Sequence, residues 1–370
     1  MTAVPCATCQ RCECASTSPP LKARLVQYCL WKYNPAICNL SKINKNGWRK
    51  PKLSKHRPPH STSPPFPNFD FPPGNRLSTQ FHLLDPITSP PTSPVLLHSI
   101  RALLCIGPVP VTPETLNRLP SLQIIVGSSA GVDHIDLTEC SRRNIAVTNA
   151  GSAFSEDTAD YAVALLFGVL RRLPAGDRYV RDGFWPVNGD FPLGFKLGAK
   201  RVGILGLGSI GSEVAKRLAA FGCSIAYFSR KKKTSVLFPY YENAIDLAAN
   251  SDVLIVCCAL NDETHHIVNK DVMVALGKEG VIINVGRGPL VDEKQLVEFL
   301  VRGELGGAGL DVFENEPNVP KELLERDNVV LSPHCSVATP ESFEALQDVI
   351  IANLKAFFSN KPLVSPVQKD

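Results

Sequence analysis

From about residue 95 onward, short apolar runs alternate with longer amphipathic stretches along the chain. Two of these stretches, Asp157–Leu173 and Ser209–Ala220, carry apolar residues at three- and four-residue spacing and predict helices. The apolar runs predict nine strands: Ala102–Ile106, Gln123–Gly127, Ile145–Thr148, Arg201–Leu205, Ser224–Phe228, Val253–Cys258, Val281–Val285, Ala308–Val312 and Val329–Leu331. Alternating strands and helices indicate a parallel sheet in an α/β fold, and uniformly apolar runs indicate strands covered by helices on both faces.

The first 65 residues lack this periodicity. Proline recurs through them, and Glu13 is the only acidic residue against 11 basic ones. We therefore predict that residues 1–65 form an atypical, disordered segment outside the folded core. Two other interpretations stay open. A cleaved organellar transit peptide would be basic and poor in acids. A metal site at the Cys6-x2-Cys9-x2-Cys12-x-Cys14 motif would use four thiolates to bind zinc, but the motif lacks a second paired knuckle, so we favour no metal site over this interpretation.

Composition separates the first quarter of the chain from the rest. Of the 370 residues, residues 1–94 hold 16 of the 31 Pro, 6 of the 12 Cys, and 12 Lys+Arg against 3 Asp+Glu. Residues 95–370 hold 27 Lys+Arg against 32 Asp+Glu, so the net charge of +4 divides into +9 and −5. The slightly acidic body gives no electrostatic reason to expect a nucleic-acid partner.

Hydropathy gives no reason to expect a membrane span. The longest candidate, Tyr161–Leu170, is about ten residues long, whereas a span needs about twenty. The first 30 residues contain no uninterrupted apolar core of a secretory signal. The C-terminal residues Val367–Asp370 do not form a peroxisomal signal either. We predict a cytoplasmic protein, with an organellar location as the alternative if the basic N-terminal segment is a transit peptide.

A glycine-rich loop joins a predicted strand to a predicted helix. Arg201–Leu205 leads into Gly206-Leu-Gly208-Ser209-Ile210-Gly211, and the helix follows directly. In this context the G-x-G-x-x-G pattern predicts a dinucleotide site, because the helix N-terminus offers unpaired N–H groups to the pyrophosphate. Gly206 permits the tight turn, Gly208 lets the phosphates approach, and Gly211 lets the helix pack close to the strand.

The next predicted strand ends in a basic turn, Ser229-Arg230-Lys231-Lys232-Lys233. Ser229 lies 18 residues after Gly211, where an NAD site usually has an acidic residue for the ribose 2′-hydroxyl. A hydroxyl and a guanidinium would instead bind a 2′-phosphate. The turn therefore favours NADPH over NADH, with NADH still possible. A solvated basic turn without a ligand is the alternative.

Each of three later predicted strands is followed by a residue whose side chain could take part in catalysis. Arg287 follows Val281–Val285, Glu316 follows Ala308–Val312, and His334 follows Val329–Leu331. Ligands of doubly wound sheets bind outside the carboxyl ends of the strands, so these side chains are predicted to gather beside the cofactor. The set suits reduction of a 2-oxo acid. An Arg binds a carboxylate through two parallel hydrogen bonds, a His delivers the proton, and a carboxylate orients the imidazole.

Several motifs together resemble the D-isomer-specific 2-hydroxyacid dehydrogenases, and within them the plant glyoxylate/hydroxypyruvate and hydroxyphenylpyruvate reductases. The resemblance covers roughly residues 95–365. The matching stretches are Ser128–Asp136, Glu156–Asp160, Gly206–Gly211, Asn284–Gly288, Gly307–Glu314 and Ser332–His334.

The resemblance implies roles for individual residues. Arg287 would bind the substrate carboxylate and carbonyl, His334 would be the general acid, and Glu316 would be its partner. The turn Ala130-Gly131 would donate N–H groups to the carboxylate. Trp185-Pro186 would lie near a dimer interface. Contacts with the cofactor are expected at Gly206, Gly208, Ser209, Ile210, Gly211, Ser229, Arg230, Lys231, Ala259, Leu260, Thr264, Val285, Arg287, Asp311 and His334.

The implied architecture is two Rossmann-like domains, with parallel sheets flanked by helices and with the cofactor and substrate in the cleft between them. Residues 153–334 would form the NAD(P)-binding domain. Residues 66–152 together with 335–370, including the helix Glu341–Phe358, would form the outer domain. The family's outer domain opens with a strand, and no clean equivalent precedes Phe66 unless Leu25–Leu30 replaces it.

The pattern after the predicted catalytic histidine also departs from the family. The usual His-x-Gly-Ser-x-Thr reads His334-Cys-Ser336-Val337-Ala-Thr339 here, which leaves the substrate range open. We predict NADPH-dependent reduction of glyoxylate, hydroxypyruvate or hydroxyphenylpyruvate to the D-2-hydroxy acid by a homodimer. The alternatives are a catalytically impaired paralogue and a dinucleotide-binding regulatory protein on the same fold.

Overall fold

The computed structural model describes residues 24–29, 74–84 and 97–367. The Cys6–Cys14 motif and most of the segment 1–65 lie outside these ranges. Within them, the chain forms two parallel sheets, one of five strands and one of seven. No helix of the described ranges is long and apolar enough to cross a membrane.

The first sheet has the strand order β2-β1-β3-β4-β5, and every pair in it is parallel. Its strands are β1 (Arg24–Cys29), β2 (His82–Leu84), β3 (Ala102–Ile106), β4 (Ile124–Gly127) and β5 (Ala146–Thr148). The strand order reverses next to β1, which makes this a doubly wound sheet like those that bind ligands at such a switch point.

The position of β1 corrects the expectation that residues 1–65 contribute nothing to the fold. Arg24–Cys29 lies between β2 and β3, with Leu25 opposite Ala102 and Cys29 opposite Ile106. The run Leu25–Leu30 was considered above as a substitute, and its residues Leu25–Cys29 lie in the opening strand of this sheet. Without β1, the backbone groups along that edge of β3 would have no strand partner.

The second sheet has the order β12-β11-β10-β9-β6-β7-β8, again with every pair parallel. This order contains the dinucleotide-binding arrangement, with its switch point between β6 and β9. Its strands are β6 (Arg201–Leu205), β7 (Ser224–Phe228), β8 (Tyr240–Tyr241), β9 (Val253–Val256), β10 (Val281–Asn284), β11 (Gly307–Leu310) and β12 (Val329–Leu331).

Helices cover the sheets. They are α1 (Gly74–Ser78), α2 (Pro113–Asn117), α3 (Leu137–Arg142), α4 (Ser155–Leu170), α5 (Leu173–Arg181), α6 (Trp185–Asn188), α7 (Ser209–Ala220), α8 (Ala244–Ala249), α9 (Lys270–Leu276), α10 (Glu293–Arg302), α11 (Lys321–Leu324) and α12 (Pro340–Phe358). Buried residues of α4 and α7 pack on one face of the second sheet, and those of α9 and α10 pack on the other. Helix α12 packs against the first sheet through Leu346, Ile350 and Leu354.

The nine strands predicted from the apolar runs are all present, and their ends differ from the prediction by at most two residues. The predicted α/β class with parallel sheets flanked by helices is confirmed. Strands β1, β2 and β8 were not predicted. Two of them, β2 and β8, have only three and two residues, too few to produce a periodic signal.

Candidate active site

Three neighbouring strands, β10, β11 and β12, place the predicted catalytic residues at one edge of the second sheet. Arg287 follows β10, Glu316 follows β11 and His334 follows β12. The strands pair directly in this order, so their carboxyl ends, and the loops that follow them, lie side by side. The sequence prediction that these three residues come from adjacent loops therefore agrees with the strand order.

His334 and Glu316 form a hydrogen-bonded pair. The Nδ1 atom of His334 lies 2.9 Å from Oε2 of Glu316. The other carboxylate oxygen, Oε1, accepts the N–H of Phe313 at 3.1 Å. Burial would raise the pKa of Glu316, but the hydrogen bond and charge of His334 outweigh it and hold the pKa below its usual value. The ionised carboxylate only accepts hydrogen bonds, so Nδ1 is the donor and Nε2 is left to exchange a proton.

Arg287 is held by its own turn. Asn284, which is fully buried at the end of β10, donates through Nδ2 to the Arg287 carbonyl at 2.9 Å and accepts the Gly286 N–H at 3.1 Å. The Arg287 Nη1 donates to the Gly286 carbonyl at 2.9 Å. Backbone and guanidinium are thus both fixed locally, as a residue that orients a planar substrate group requires.

The guanidinium of Arg287 also reaches the turn that follows β4 in the first sheet. Its Nε donates to Oδ1 of Asp133 at 3.2 Å. A side chain at Gly131 would overlap both the Arg287 Nη2 and the Asp133 carboxylate. No described residue accepts the N–H of Ala130 or Gly131. Two N–H donors and one guanidinium therefore lie together, which suits a carboxylate ligand.

The loop that carries His334 is built around Asp311, whose side chain is fully buried. Its Oδ1 accepts from the Ser332 hydroxyl at 2.7 Å and the Cys335 N–H at 2.9 Å, and its Oδ2 accepts from the Ser336 N–H at 3.0 Å. The His334 N–H donates to the Asp311 carbonyl at 2.8 Å. Asp311 thus shapes the loop, and its predicted contact with the cofactor stays a prediction.

The glycine-rich loop fits a dinucleotide. Gly206 has φ +99°, and a side chain there would overlap the backbone of Cys258. A side chain at Gly211 would overlap the Gly206 carbonyl, so helix and strand approach as predicted. At Gly208 a Cβ would meet no atom within 4 Å, which leaves open space over the start of α7. Ser209 and Ile210 form the first turn of α7, where backbone N–H groups have no partner within the helix and could bind a phosphate.

The remaining predicted cofactor residues fall into two loops and one strand end. Ser229, Arg230 and Lys231 form the turn after β7, closed by a 2.7 Å bond from the Ser229 hydroxyl to the Lys231 carbonyl. Ala259 and Leu260 follow β9, beside the glycine-rich loop that follows β6, because these strands are paired. In the same loop the Thr264 hydroxyl donates to the Ala259 carbonyl at 2.7 Å, so its evident role is to hold the loop. Val285 is buried at the end of β10.

Comparison with known proteins identifies the family. Residues 163–336 match the NAD-binding domain of the D-isomer specific 2-hydroxyacid dehydrogenases. A glyoxylate/hydroxypyruvate reductase of Arabidopsis thaliana is 63% identical over 272 residues, which cover 74% of this chain and 84% of that protein. The chain belongs to the D-isomer specific 2-hydroxyacid dehydrogenase family. The resemblance found in the motifs is thereby confirmed.

Two further members of this dehydrogenase family extend the comparison. A hydroxyphenylpyruvate reductase of Plectranthus scutellarioides is 49% identical over 269 residues, covering 73% of this chain and 86% of that protein. An NADPH-dependent glyoxylate/hydroxypyruvate reductase of Sinorhizobium meliloti, crystallised with NADP and malonate, has a TM-score of 0.75 and 34% identity and covers 94% of this chain and 97% of that one. The likeness thus spans both sheets.

The departures from the dehydrogenase pattern lie on the inner side of the His334 loop. Ser336 is buried, and its N–H donates a hydrogen bond to the Asp311 carboxylate. Val337 packs against the core of the first sheet. These contacts make both residues part of the junction between the loop and the first sheet. Trp185 lies elsewhere, on a surface where its side chain is 59% exposed.

Sequence reasoning missed two supporting residues of this dehydrogenase site. Asp133 was visible in the Ser128–Asp136 motif, but nothing in the sequence shows that it contacts Arg287, 154 residues away. Tyr161 lies in α4, and its hydroxyl is 3.2 Å from the Sγ of Cys335, next to His334. Burial raises the pKa of Tyr161 to about 12, so it stays a neutral hydrogen-bonding group.

Replacing Asp311 is expected to weaken both the His334 loop and catalysis. In Asp311→Asn an NH2 group faces an N–H donor, and leaving a buried donor unpaired lowers the free energy of unfolding by about 1–3 kcal/mol. A displaced His334 lowers kcat by about tenfold or more. Urea denaturation and steady-state kinetics measure the two effects. Ser332→Ala, which removes only one of the bonds, is the milder control. Unchanged stability and kcat in Asp311→Asn would contradict this role.

Proposed function

We propose that this dehydrogenase reduces a 2-oxo acid, namely glyoxylate, hydroxypyruvate or hydroxyphenylpyruvate, to the D-2-hydroxy acid with NADPH as the reductant. The observation that carries the proposal is the arrangement of Arg287 and the His334–Glu316 pair on adjacent strand ends, at the sheet edge that also holds the glycine-rich loop. The names of the similar plant enzymes support the substrate class.

The proton for the new hydroxyl comes from His334 in this proposal. Glu316 accepts the hydrogen bond from Nδ1 of His334, so Nε2 is the ring nitrogen that donates a proton to the substrate oxygen. The His334 side chain is 39% exposed, which leaves one side of the ring accessible to a small ligand.

The substrate carboxylate is bound by Arg287 together with the N–H groups of Ala130 and Gly131. The guanidinium lies against Gly131, so all these donors lie within one small region. A carboxylate anchored there places its neighbouring carbonyl carbon within reach of the groups on β10–β12. NADPH, when bound on the Gly206–Gly211 loop, supplies the hydride.

The choice of NADPH rests on the turn after β7. Ser229, Arg230 and Lys231 carry no carboxylate that would accept the ribose 2′-hydroxyl of NADH or repel a 2′-phosphate. Arg230 offers a planar set of donors that suits a phosphate group. An NADPH-dependent enzyme of Sinorhizobium meliloti with the same fold supports this preference.

Replacing Arg230 is expected to reduce the preference for NADPH. In Arg230→Ala, loss of a charge-assisted bond to the 2′-phosphate raises KM for NADPH by about ten- to a hundredfold and leaves KM for NADH nearly unchanged. Steady-state kinetics at saturating oxo acid measure both constants. Lys232→Ala, in the same basic turn, is the control for a general loss of positive charge. Equal effects on the two coenzymes, or kcat/KM for NADH at or above that for NADPH in the unaltered enzyme, would contradict the proposal.

Substrate choice is tested by kinetics with the three oxo acids, each with NADPH and with NADH. Turnover of at least one of them is the expected result. The absence of coenzyme oxidation with all three would favour an impaired paralogue or a dinucleotide-binding regulatory protein instead.

We also propose that the enzyme is a homodimer. Helix α6, the residue before it and the loop after it expose large apolar side chains in a short stretch of sequence. These are Phe184, Trp185, Val187, Leu193 and Phe195, each 48–93% exposed. A concentration of this kind favours burial against another protein surface. Sedimentation of the purified protein distinguishes a dimer from a single chain.

A further inference from the structure

The contact between Asp133 and Arg287 joins the two sheets at the candidate active site. Asp133 follows β4 of the first sheet, and Arg287 follows β10 of the second. Their 3.2 Å contact is partly shielded, since the side chains are 25% and 22% exposed. Because neither side chain is fully solvated, salt and water screen the attraction between the two charges less than they screen an ion pair at the open surface.

The contact occupies one edge of the guanidinium. The Nε of Arg287 donates to Asp133, its Nη1 donates to the Gly286 carbonyl, and its Nη2 lies against Gly131. The plane of the guanidinium is therefore fixed from two directions, one bond coming from each sheet. These hydrogen bonds leave Nη2 for a substrate. Nη2 lies beside Gly131, where the N–H groups of Ala130 and Gly131 have no acceptor among the described residues.

Asp133 also places a negative charge beside the expected position of the substrate carboxylate. The next residue, His134, does not offset this charge, because burial lowers the pKa of its imidazole. Both ring nitrogens of His134 are buried and have no partner in the described part of the chain. Arg287 therefore compensates Asp133, and a carboxylate that binds Arg287 competes with Asp133 for the same positive charge.

We infer that Asp133 is a positioning residue, which orients the Arg287 guanidinium for the reaction while weakening its attraction for carboxylates in the ground state. This inference rests on the proposed role of Arg287 in binding the substrate. Asp133 does not touch the reacting atoms, so it acts only through Arg287. Loss of Asp133 then has two opposite effects: Arg287 loses its orientation, and it becomes a less compensated charge.

These opposite effects predict an unusual kinetic pattern. In Asp133→Asn, kcat for the best oxo acid is expected to fall by about tenfold to a hundredfold, because a misoriented donor no longer favours the transition state. The inhibition constant of oxamate, a monoanionic carboxylate, is expected to stay the same or fall. A residue needed only for the shape of the site would lower kcat and weaken oxamate binding together.

The test compares Asp133→Asn with Asp252→Asn. Asp252 forms an ion pair of 2.8 Å with Arg201 at the amino end of β6, on the opposite edge of the second sheet, and its side chain is 30% exposed. Asp133→Glu keeps the charge and is expected to recover part of kcat. The dissociation constant for NADPH and thermal unfolding show that each variant is folded. If Asp133→Asn does not fold, Asp133→Glu carries the comparison, with a smaller fall in kcat and an unchanged or lower inhibition constant as the supporting result.

A double substitution separates positioning from other effects. In an Arg287→Lys background, Asp133→Asn should lower kcat by less than threefold, because the oriented guanidinium is already gone. An unchanged kcat in Asp133→Asn, any rise in the inhibition constant of oxamate, or a full additional loss in the double variant would overturn the inference. If the unaltered enzyme reduces no 2-oxo acid, the proposed function itself fails, which is a different result from an active enzyme insensitive to Asp133→Asn.

Discussion

Replacing His334 with Asn is expected to lower kcat for oxo-acid reduction by roughly 10²–10⁴-fold, the usual contribution of a general acid. The dissociation constant for NADPH should change by less than about twofold, because the predicted phosphate contacts lie on the Gly206–Gly211 loop. Asn is the chosen replacement because His334 has φ +51°, a conformation that Asn adopts more readily than most residues. A fall in kcat therefore reports the loss of the imidazole and not a strained backbone.

The physical reason lies in the hydrogen-bonded pair with Glu316. The new alkoxide needs a proton as the hydride arrives, and the Nε2 of His334 is the ring nitrogen that Glu316 does not hold. Asn has no proton to donate at a suitable pKa. Glu316 then also loses the partner that keeps the pKa of its carboxyl low, and its uptake of a proton should shift to higher pH.

The chain contains a matched control for this substitution. His266 has the same φ of +51°, and its Nε2 lies 2.6 Å from Oε1 of Glu314, in a second histidine–glutamate pair. Glu314 precedes Glu316 by two residues, but His266 lies in the loop after β9. His266→Asn should leave kcat within about threefold of the unaltered enzyme. Rapid-mixing or steady-state kinetics of both variants, with fluorescence titration of NADPH, measure the difference. If His334→Asn turns over like His266→Asn, His334 is not the general acid.

The second large effect is expected at Arg287. Arg287→Lys should lower kcat/KM for the oxo acid by roughly 10²–10³-fold, since charge-assisted hydrogen bonds of about 1.5–3 kcal/mol each are lost. Lys retains the positive charge, so the loss measures geometry and not charge alone. The guanidinium donates through Nε to Asp133 and through Nη1 to the Gly286 carbonyl, while Nη2 lies beside Gly131. A single ammonium group cannot satisfy these three directions together.

Arg201→Lys is the control for Arg287→Lys. Arg201 bonds Asp252 through Nε and Nη2 at 3.2 and 2.8 Å, so it also uses a planar set of donors. It begins β6 at the edge opposite the site, and kcat/KM should change by less than about twofold. Kinetics with several oxo acids distinguish a loss common to all of them from one confined to the larger ones. A kcat/KM for Arg287→Lys near that of the unaltered enzyme would remove Arg287 from carboxylate recognition.

The main features of the candidate site could be predicted because they follow from local pattern. A glycine-rich loop between a strand and a helix shows itself in consecutive residues, and its close contacts at Gly206 and Gly211 appear in the structure. Arg287, Glu316 and His334 could be placed together because carboxyl ends of parallel strands meet at one edge. Their strands, β10, β11 and β12, are indeed neighbours.

The first strand of the fold was harder to predict. Arg24–Cys29 is a short run within a basic segment that lacks periodic apolar residues, and its partners β2 and β3 lie more than 50 residues further along the chain. Pairing with both of them makes it a strand, and no local signal carries that information. Because β1 occupies this place in the first sheet, the sheet does not lack the opening strand that the sequence left in doubt.

The α/β class, the dinucleotide loop and the residue types at the candidate site can be predicted from the amino-acid sequence alone, because each depends on neighbours along the chain. The contacts that hold those residues in place become visible only in the folded structure. Asp133 accepts a hydrogen bond from Arg287, which lies 154 residues further along the chain. Asp311 accepts hydrogen bonds from side-chain and backbone donors of the His334 loop, which lie 21–25 residues away. Such contacts depend on the direction of side chains and the approach of separate sheets, which spacing along a sequence does not fix.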